Sequence, residues 1–135
     1  MAEAEEIPDD EILIRRVPPG ETWQKLPGPV PTGMNVRLRA GEIGISVSRL
    51  SMTSAQRLLE LASASLDTGW QVMAARAGDL RAFGLHIVAK RTPEEPGHAE
   101  LEPGDLDLTD KTVCRRLIRL FALLPSSTPD TREGA

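Results

Sequence analysis

Few residues in this chain can do chemistry, and most of them stand in short, strand-like stretches. His98 and Glu100 lie two apart in HAEL, just after the turn-forming TPEEPG. A strand there points both side chains to one face, where an imidazole and a carboxylate could share a proton or orient a ligand. Ser46 and Ser48 have the same spacing in ISVSR. Arg15 and Arg16 are adjacent in ILIRRV, so they must point to opposite faces. One of them is therefore expected on whichever face the helices cover. A half-buried guanidinium there needs a carboxylate such as Glu42 or Glu60, several carbonyls, or an anionic ligand.

A second group lies near the C-terminus. Arg115, Arg116 and Arg119 fall within one sector of about 100° if residues 110–124 are helical, with Lys111 close by. Such a row can hold a phosphate or an acidic partner. It is also what the solvent side of an amphipathic helix is expected to look like, and the acidic N-terminus could screen it. Cys114, between Val113 and two arginines, reads as a small core or boundary residue. Each histidine also has a structural reading. His98 after Pro-Gly can close a turn on backbone carbonyls, and His86 alternates with apolar neighbours on the less buried face of a strand. No Cys/His cluster has metal-ligand spacing. There is no P-loop, no glycine-rich dinucleotide fingerprint and no nucleophile elbow.

Two resemblances follow from these residues. In chain order a strand arginine (Arg15 or Arg16), a strand serine pair (Ser46, Ser48) and a strand glutamate (Glu100) resemble the Arg–Ser–Glu arrangement of ADP-ribosyltransferase-like domains. That resemblance implies NAD as cofactor, with Arg16 supporting the pyrophosphate, Ser46 holding the glutamate and Glu100 aligning the ribose, His98 sharing its face. A carboxylate near a ribosyl-cation-like transition state is physically sensible. The texture RRVPP, GISVSR and PGHAEL, over the middle and end of the chain, also resembles small bacterial proteins of unassigned activity, which brings no catalytic residues with it.

The elements that must position these residues are legible as alternations and stripes. EILIRRV (11–17) reads as a strand, and PPG stops it. Residues 21–33, crowded with Pro and Gly, read as a loop. NVRLR (35–39) puts Val36 and Leu38 one way and Arg37 and Arg39 the other, and IGISVSRL (43–50) alternates in the same manner, so the two are expected to form a hairpin around AGE. Residues 53–66 read as a helix capped by Ser54 with Leu58, Leu61, Ala62 and Leu66 on its stripe. Strands follow at 70–76 and 85–91, with a short turn or 3₁₀ segment at 77–84 and a short strand at 98–103. The last helix (110–124) should bury Val113, Leu117, Leu120, Phe121 and Leu124. The expected class is α+β, a small, mainly antiparallel sheet packed by two amphipathic helices.

Composition bounds the function. The chain of 135 residues is expected to form one domain at 11–125, between an acidic flexible segment (1–10) and a disordered tail (126–135). Two Trp, two Phe and no Tyr leave an aliphatic core and few faces for stacking a base or nicotinamide. A net charge of −4 argues against nucleic acid as partner. A single Cys fits a reducing cytoplasm, the acidic start has no apolar leader region, and no apolar run approaches the ~18 residues of a membrane span. Arg-rich, Lys-poor usage with much Ala, Gly and Pro suggests a GC-rich bacterial genome. The expected function is a non-enzymatic, cytoplasmic accessory protein that binds a protein partner. Its surface would be the sheet face bearing Ser46, Ser48 and one of Arg15/Arg16, or the basic side of the last helix; the alternative is the small NAD-dependent transferase or hydrolase.

Overall fold

The structure, a computed structural model, describes residues 6–20, 22–24, 29–64 and 69–124. The fold is α+β, with strands β1 (Ile12–Val17), β2 (Thr22–Gln24), β3 (Pro29–Pro31), β4 (Ile45–Arg49), β5 (Gln71–Arg76), β6 (His86–Ala89), β7 (His98–Glu102) and β8 (Ala122–Leu123). Three helices accompany them: α1 (Ala55–Leu61), α2 (Ala77–Phe83) and α3 (Lys111–Ile118). Six strands make one sheet in the order β6-β7-β4-β1-β5-β8, every pairing antiparallel, and β2 and β3 form a separate hairpin.

The two faces of the sheet differ. One packs Leu13, Val17, Ile45, Val47, Met73, Ala75, Ala99 and Leu101 against Leu80 of α2 and Cys114, Leu117 and Ile118 of α3. The other packs Ile14 and Val72 against Leu58 and Leu59 of α1, with Trp70 and Leu124 beside them. The β1 sequence ILIRRV is apolar in both registers because helices cover this central strand on both sides. On the second face the β4 residue Ser46 is exposed. That strip beyond α1 is polar, with His86, His98 and Glu102 on β6 and β7 left incompletely buried.

Local signals explain the helix ends. Ser54 Oγ accepts from the Arg57 N–H at 3.0 Å and starts α1. Asp110 Oδ1 accepts from the N–H groups of Thr112 and Val113 and starts α3. Where a turn was expected, α2 is a helix: Ala77 and Leu80 bury one stripe, and Gly84 (φ +120°) ends it while the Leu85 N–H donates to the Leu80 carbonyl.

Several expectations need correction. Residues 35–39 are not a strand; a 3₁₀ turn spans Gly33–Val36, and the places beside β4 are taken by β1 and β7, so no hairpin forms around AGE. Val36 is nonetheless buried and Arg37 exposed, because Gly33 lies close against the α3 backbone at Cys114 and Arg115 and turns Val36 into the core. Ile43 is 68% exposed, since β4 begins only at Ile45. The last helix stops at Ile118 and the chain crosses to pair Ala122 with β5, which carries Leu124 to the cluster on the opposite face. Helix α1 ends at Leu61 with Ala62 exposed; Leu66 falls outside the described residues. At the N-terminus, Ile7 is buried in the core and Asp9 pairs with Arg81 of α2 at 2.6 Å, so the packed body takes in residues ahead of 11. Residues 1–5 and 125–135 lie outside the described residues.

Candidate functional site

The site begins with a break in the sheet. β1 and β4 pair only at Leu13–Arg49 and Ile14–Ser48. β1 continues to pair with β5 as far as Val17–Gln71, and β4 with β7 back to Ile45–Leu101. Two central strands therefore part beyond Ile14, each still held by its outer neighbour. The Arg49 N–H donates to the Gly97 carbonyl on the β7 side, so the alternate residues Ser46 and Ser48 turn their backbone groups toward β1. The Arg15 guanidinium reaches into the parting. Its Nη1 donates to the Ser46 carbonyl at 2.8 Å and its Nε to the Asn35 carbonyl at 2.8 Å. A side chain thus supplies the bond that a neighbouring strand would have made.

The closed end of the parting is clamped by Glu11, whose residue is only 6% exposed. Its carboxylate accepts from Arg49 Nε at 2.8 Å and from the Ser51 hydroxyl and N–H, and its backbone carbonyl accepts from the Ala77 N–H. Burial pushes the Glu11 carboxyl upward, but the Ser51 and Arg49 bonds and the Arg49 charge outweigh it and hold the group below its ordinary value.

Over the parting lies a cleft of about 230 Å³ lined by Ile14, Arg15, Arg16, Arg39, Ser46, Ser48, Leu58, Trp70, Glu95 and His98, among others. Its floor is the separated strands, one wall is α1, and the other is the loop before β7. Arg16 is the strand arginine on the α1 side of β1, with Ile14. It uses a carbonyl, donating from Nη1 to Leu58 O at 2.7 Å. The carboxylates suggested for it are engaged elsewhere: Glu42 accepts from the Arg39 N–H, and Glu60 accepts from Gln56 and forms an ion pair with Arg57 at 3.8 Å.

Five of the residues singled out in the sequence, Arg15, Arg16, Ser46, Ser48 and His98, line this one cleft. Glu100 does not line it. It lies cross-strand from Ser46 on β7, with one carboxylate oxygen buried without a hydrogen-bond partner and packed 3.2 Å from where a Cβ on Gly44 would stand. Among the described residues, the carboxylate that lines the cleft is Glu95, whose Oε2 accepts from the Ser48 hydroxyl at 2.8 Å. The signal for Glu95 was present in Thr-Pro-Glu-Glu, residues 92–95. The Thr92 hydroxyl accepts from the Glu95 N–H and the Thr92 N–H donates to the Glu95 carbonyl, a locked turn of the Thr-x-x-Glu kind that aims the glutamate at Ser48. Arg39 and Trp70, from a loop and a strand border, carried no comparable signal.

The remaining candidates lie elsewhere. Arg115, Arg116 and Arg119 are exposed on α3, which covers the opposite face of the sheet, and Arg116 stands 6.0 Å over the Phe83 ring. Cys114 is buried with its thiol donating to the Leu108 carbonyl at 3.2 Å, and burial pushes its pKa up. Among the described residues no group of three His, Cys, Asp or Glu could hold a metal ion, and no helix is long and apolar enough to cross a membrane. Chemically, the arrangement offers guanidiniums, hydroxyls and an imidazole around one small volume, a setting that suits an anionic group. No protein-family model matches the chain, and no curated protein or solved structure matches it.

Proposed function

We propose that the protein is a non-enzymatic accessory domain that binds a partner protein by seating one of its carboxylates in the cleft at the parting of β1 and β4. The observation that carries this reading is the meeting of Arg15, Arg16 and Arg39 with Ser46 and His98 at the place where β1 and β4 cease to pair. Among the described residues that line the cleft, Arg15, Arg16 and Arg39 stand with Glu95, which accepts from the Ser48 hydroxyl. The volume favours a side-chain-sized group: about 230 Å³ is below the roughly 300–1,000 Å³ of pockets that enclose drug-sized ligands. A bacterial cytoplasm is the setting that the composition and the single buried cysteine favour.

The test is a titration of the labelled protein with N-acetylglutamate, followed by nuclear magnetic resonance. Saturable shifts at the Arg16 Nε–H, the Ser46 amide and the His98 ring are expected, and Arg16→Met should remove them. Shifts confined to Arg115, Arg116 and Arg119, or none at all, would refute the reading. The NAD reading is tested beside it: turnover of NAD that Glu95→Ala or Glu100→Ala abolishes would replace the binding reading with an enzymatic one.

A further inference from the structure

The cleft is graded from bottom to mouth. Its bottom is buried: Ile14, Leu58 and Ser48 lie there, and the Ser48 hydroxyl is already given to Glu95. Half-buried Arg15, Arg16 and Trp70 stand above them, and exposed Ser46 and Arg39 border the mouth. The bottom is shut, because β1 and β4 pair at Ile14–Ser48 and the Arg15 guanidinium reaches into the parting beside that pair. A blind hollow of about 230 Å³ takes a side chain or a chain end, not a segment that passes through. Its donors sit at the middle level. The Arg16 guanidinium carries several N–H groups and, among the described residues, gives one of them, to the Leu58 carbonyl. Arg15 is committed to the Asn35 and Ser46 carbonyls and Arg39 has partners of its own, so neither counts as a donor here. Glu95 faces the same volume, which leaves the Arg16 side for an anion.

Accepting the binding reading above, we infer that the group seated in the cleft is the C-terminus of the partner protein, with an apolar last residue. The last side chain goes down between Ile14, Leu58 and the Trp70 ring. The terminal carboxylate stays at the level of Arg16, and the preceding residues leave over exposed Ser46. An aspartate or glutamate side chain would reverse this order. Its charge is at its tip and would go to the apolar bottom, where desolvation costs most and the Ser48 hydroxyl is already spent on Glu95. A chain end with an apolar last residue matches both levels at once, and capture of a terminal carboxylate is a recurring mode of peptide recognition.

N-acetylglutamate carries both kinds of carboxylate, so peptides must separate them. The test uses glycine–serine peptides with a fluorescent label at the N-terminus, read by anisotropy against the whole protein. One ends in leucine with a free carboxylate, the second is the same peptide amidated, and the third is amidated and ends in glutamate, so its carboxylate is on the side chain. The first should bind roughly tenfold more tightly than either of the others, the scale of one charge-assisted bond to a guanidinium. Arg16→Met should weaken the first by about that factor and leave the second unchanged, a difference that a general loss of structure would not produce, with melting curves to show that the variant is folded. Equal binding of the free and amidated leucine peptides, or a glutamate amide that binds as tightly as the first, would overturn the assignment. If N-acetylglutamate shifts the cleft signals while the leucine peptide fails to bind, the chain-end inference falls and the carboxylate reading stands; if neither binds, both fall.

Discussion

Replacing Glu11 with Gln removes the charge from the clamp that holds β1 to β4 while keeping the side chain's shape. Three donors converge on that carboxylate: Arg49 Nε at 2.8 Å, the Ser51 hydroxyl and the Ser51 N–H at 3.2 Å. An amide has one acceptor oxygen, and its NH₂ must face a donor. Breaking a well-buried charged pair costs roughly 3–5 kcal/mol, and retention of shape and one acceptor puts this change near the lower end, about 3 kcal/mol. For a domain of this size each kcal/mol is worth about 3–4 °C, so the melting temperature should fall by roughly 10 °C. The pH dependence should change with it. The Glu11 pKa in the folded protein lies below its ordinary value of 4.5. Its stabilisation is therefore present above that ordinary value and is lost as the pH falls through the lower, folded one. Glu11→Gln should accordingly flatten the acid side of the stability profile below about pH 4.5. The assay is urea unfolding followed by circular dichroism at a series of pH values. A loss below about 0.5 kcal/mol at neutral pH, the scale of an exposed pair, or an acid limb as steep as in the unchanged protein, would refute the clamp.

Other consequences follow from the same contacts. The Cys114 thiol, buried under α3 with its pKa raised, should resist a thiol reagent in the native protein and react fully in urea; fast native labelling, followed by absorbance, would contradict its burial. Asp110→Ala deletes the cap of α3 and should cost about 1 kcal/mol in urea unfolding, whereas Asp107→Ala, at an exposed position outside the helix, should cost less. Gly104→Ala should destabilise by more than a typical surface change, since the new methyl would stand 2.8 Å from the His86 ring at a backbone φ of +59°; a melting temperature unchanged within a degree or so would count against that packing.

What could be read from the chain was what period-two and period-3.6 patterns encode locally. ISVSR announced Ile45 and Val47 as buried, and the two-residue spacing put Ser46 with Ser48, and His98 with Glu100, on one face each before any pairing was known. The choice of strand neighbours could not be read this way. It is a non-local competition: β1 took the place beside β4 that NVRLR was expected to fill, and NVRLR kept only its inward and outward alternation. The last helix looked continuous through Leu124 because its stripe persists, yet the open edge of β5 offered ladder bonds that Ala122 and Leu123 took instead. Glu95 was missed for a similar reason. Its role depends on a turn folding back over Ser48, whereas Glu100, plainly on a strand, drew attention and proved to lie cross-strand from Ser46 outside the cleft.

The central claim is that two adjacent strands part and that the parting receives an acidic group. Hydrogen exchange at the Ser46 amide measures both halves at once. That N–H faces the gap beyond the last β1–β4 pair, while the Arg49 N–H is bonded to Gly97. Exchange at Ser46 should be much faster than at Arg49 in the free protein and should slow when N-acetylglutamate is added. Equal protection of the two amides in the free protein, or a Ser46 rate that N-acetylglutamate leaves unchanged, would contradict the account.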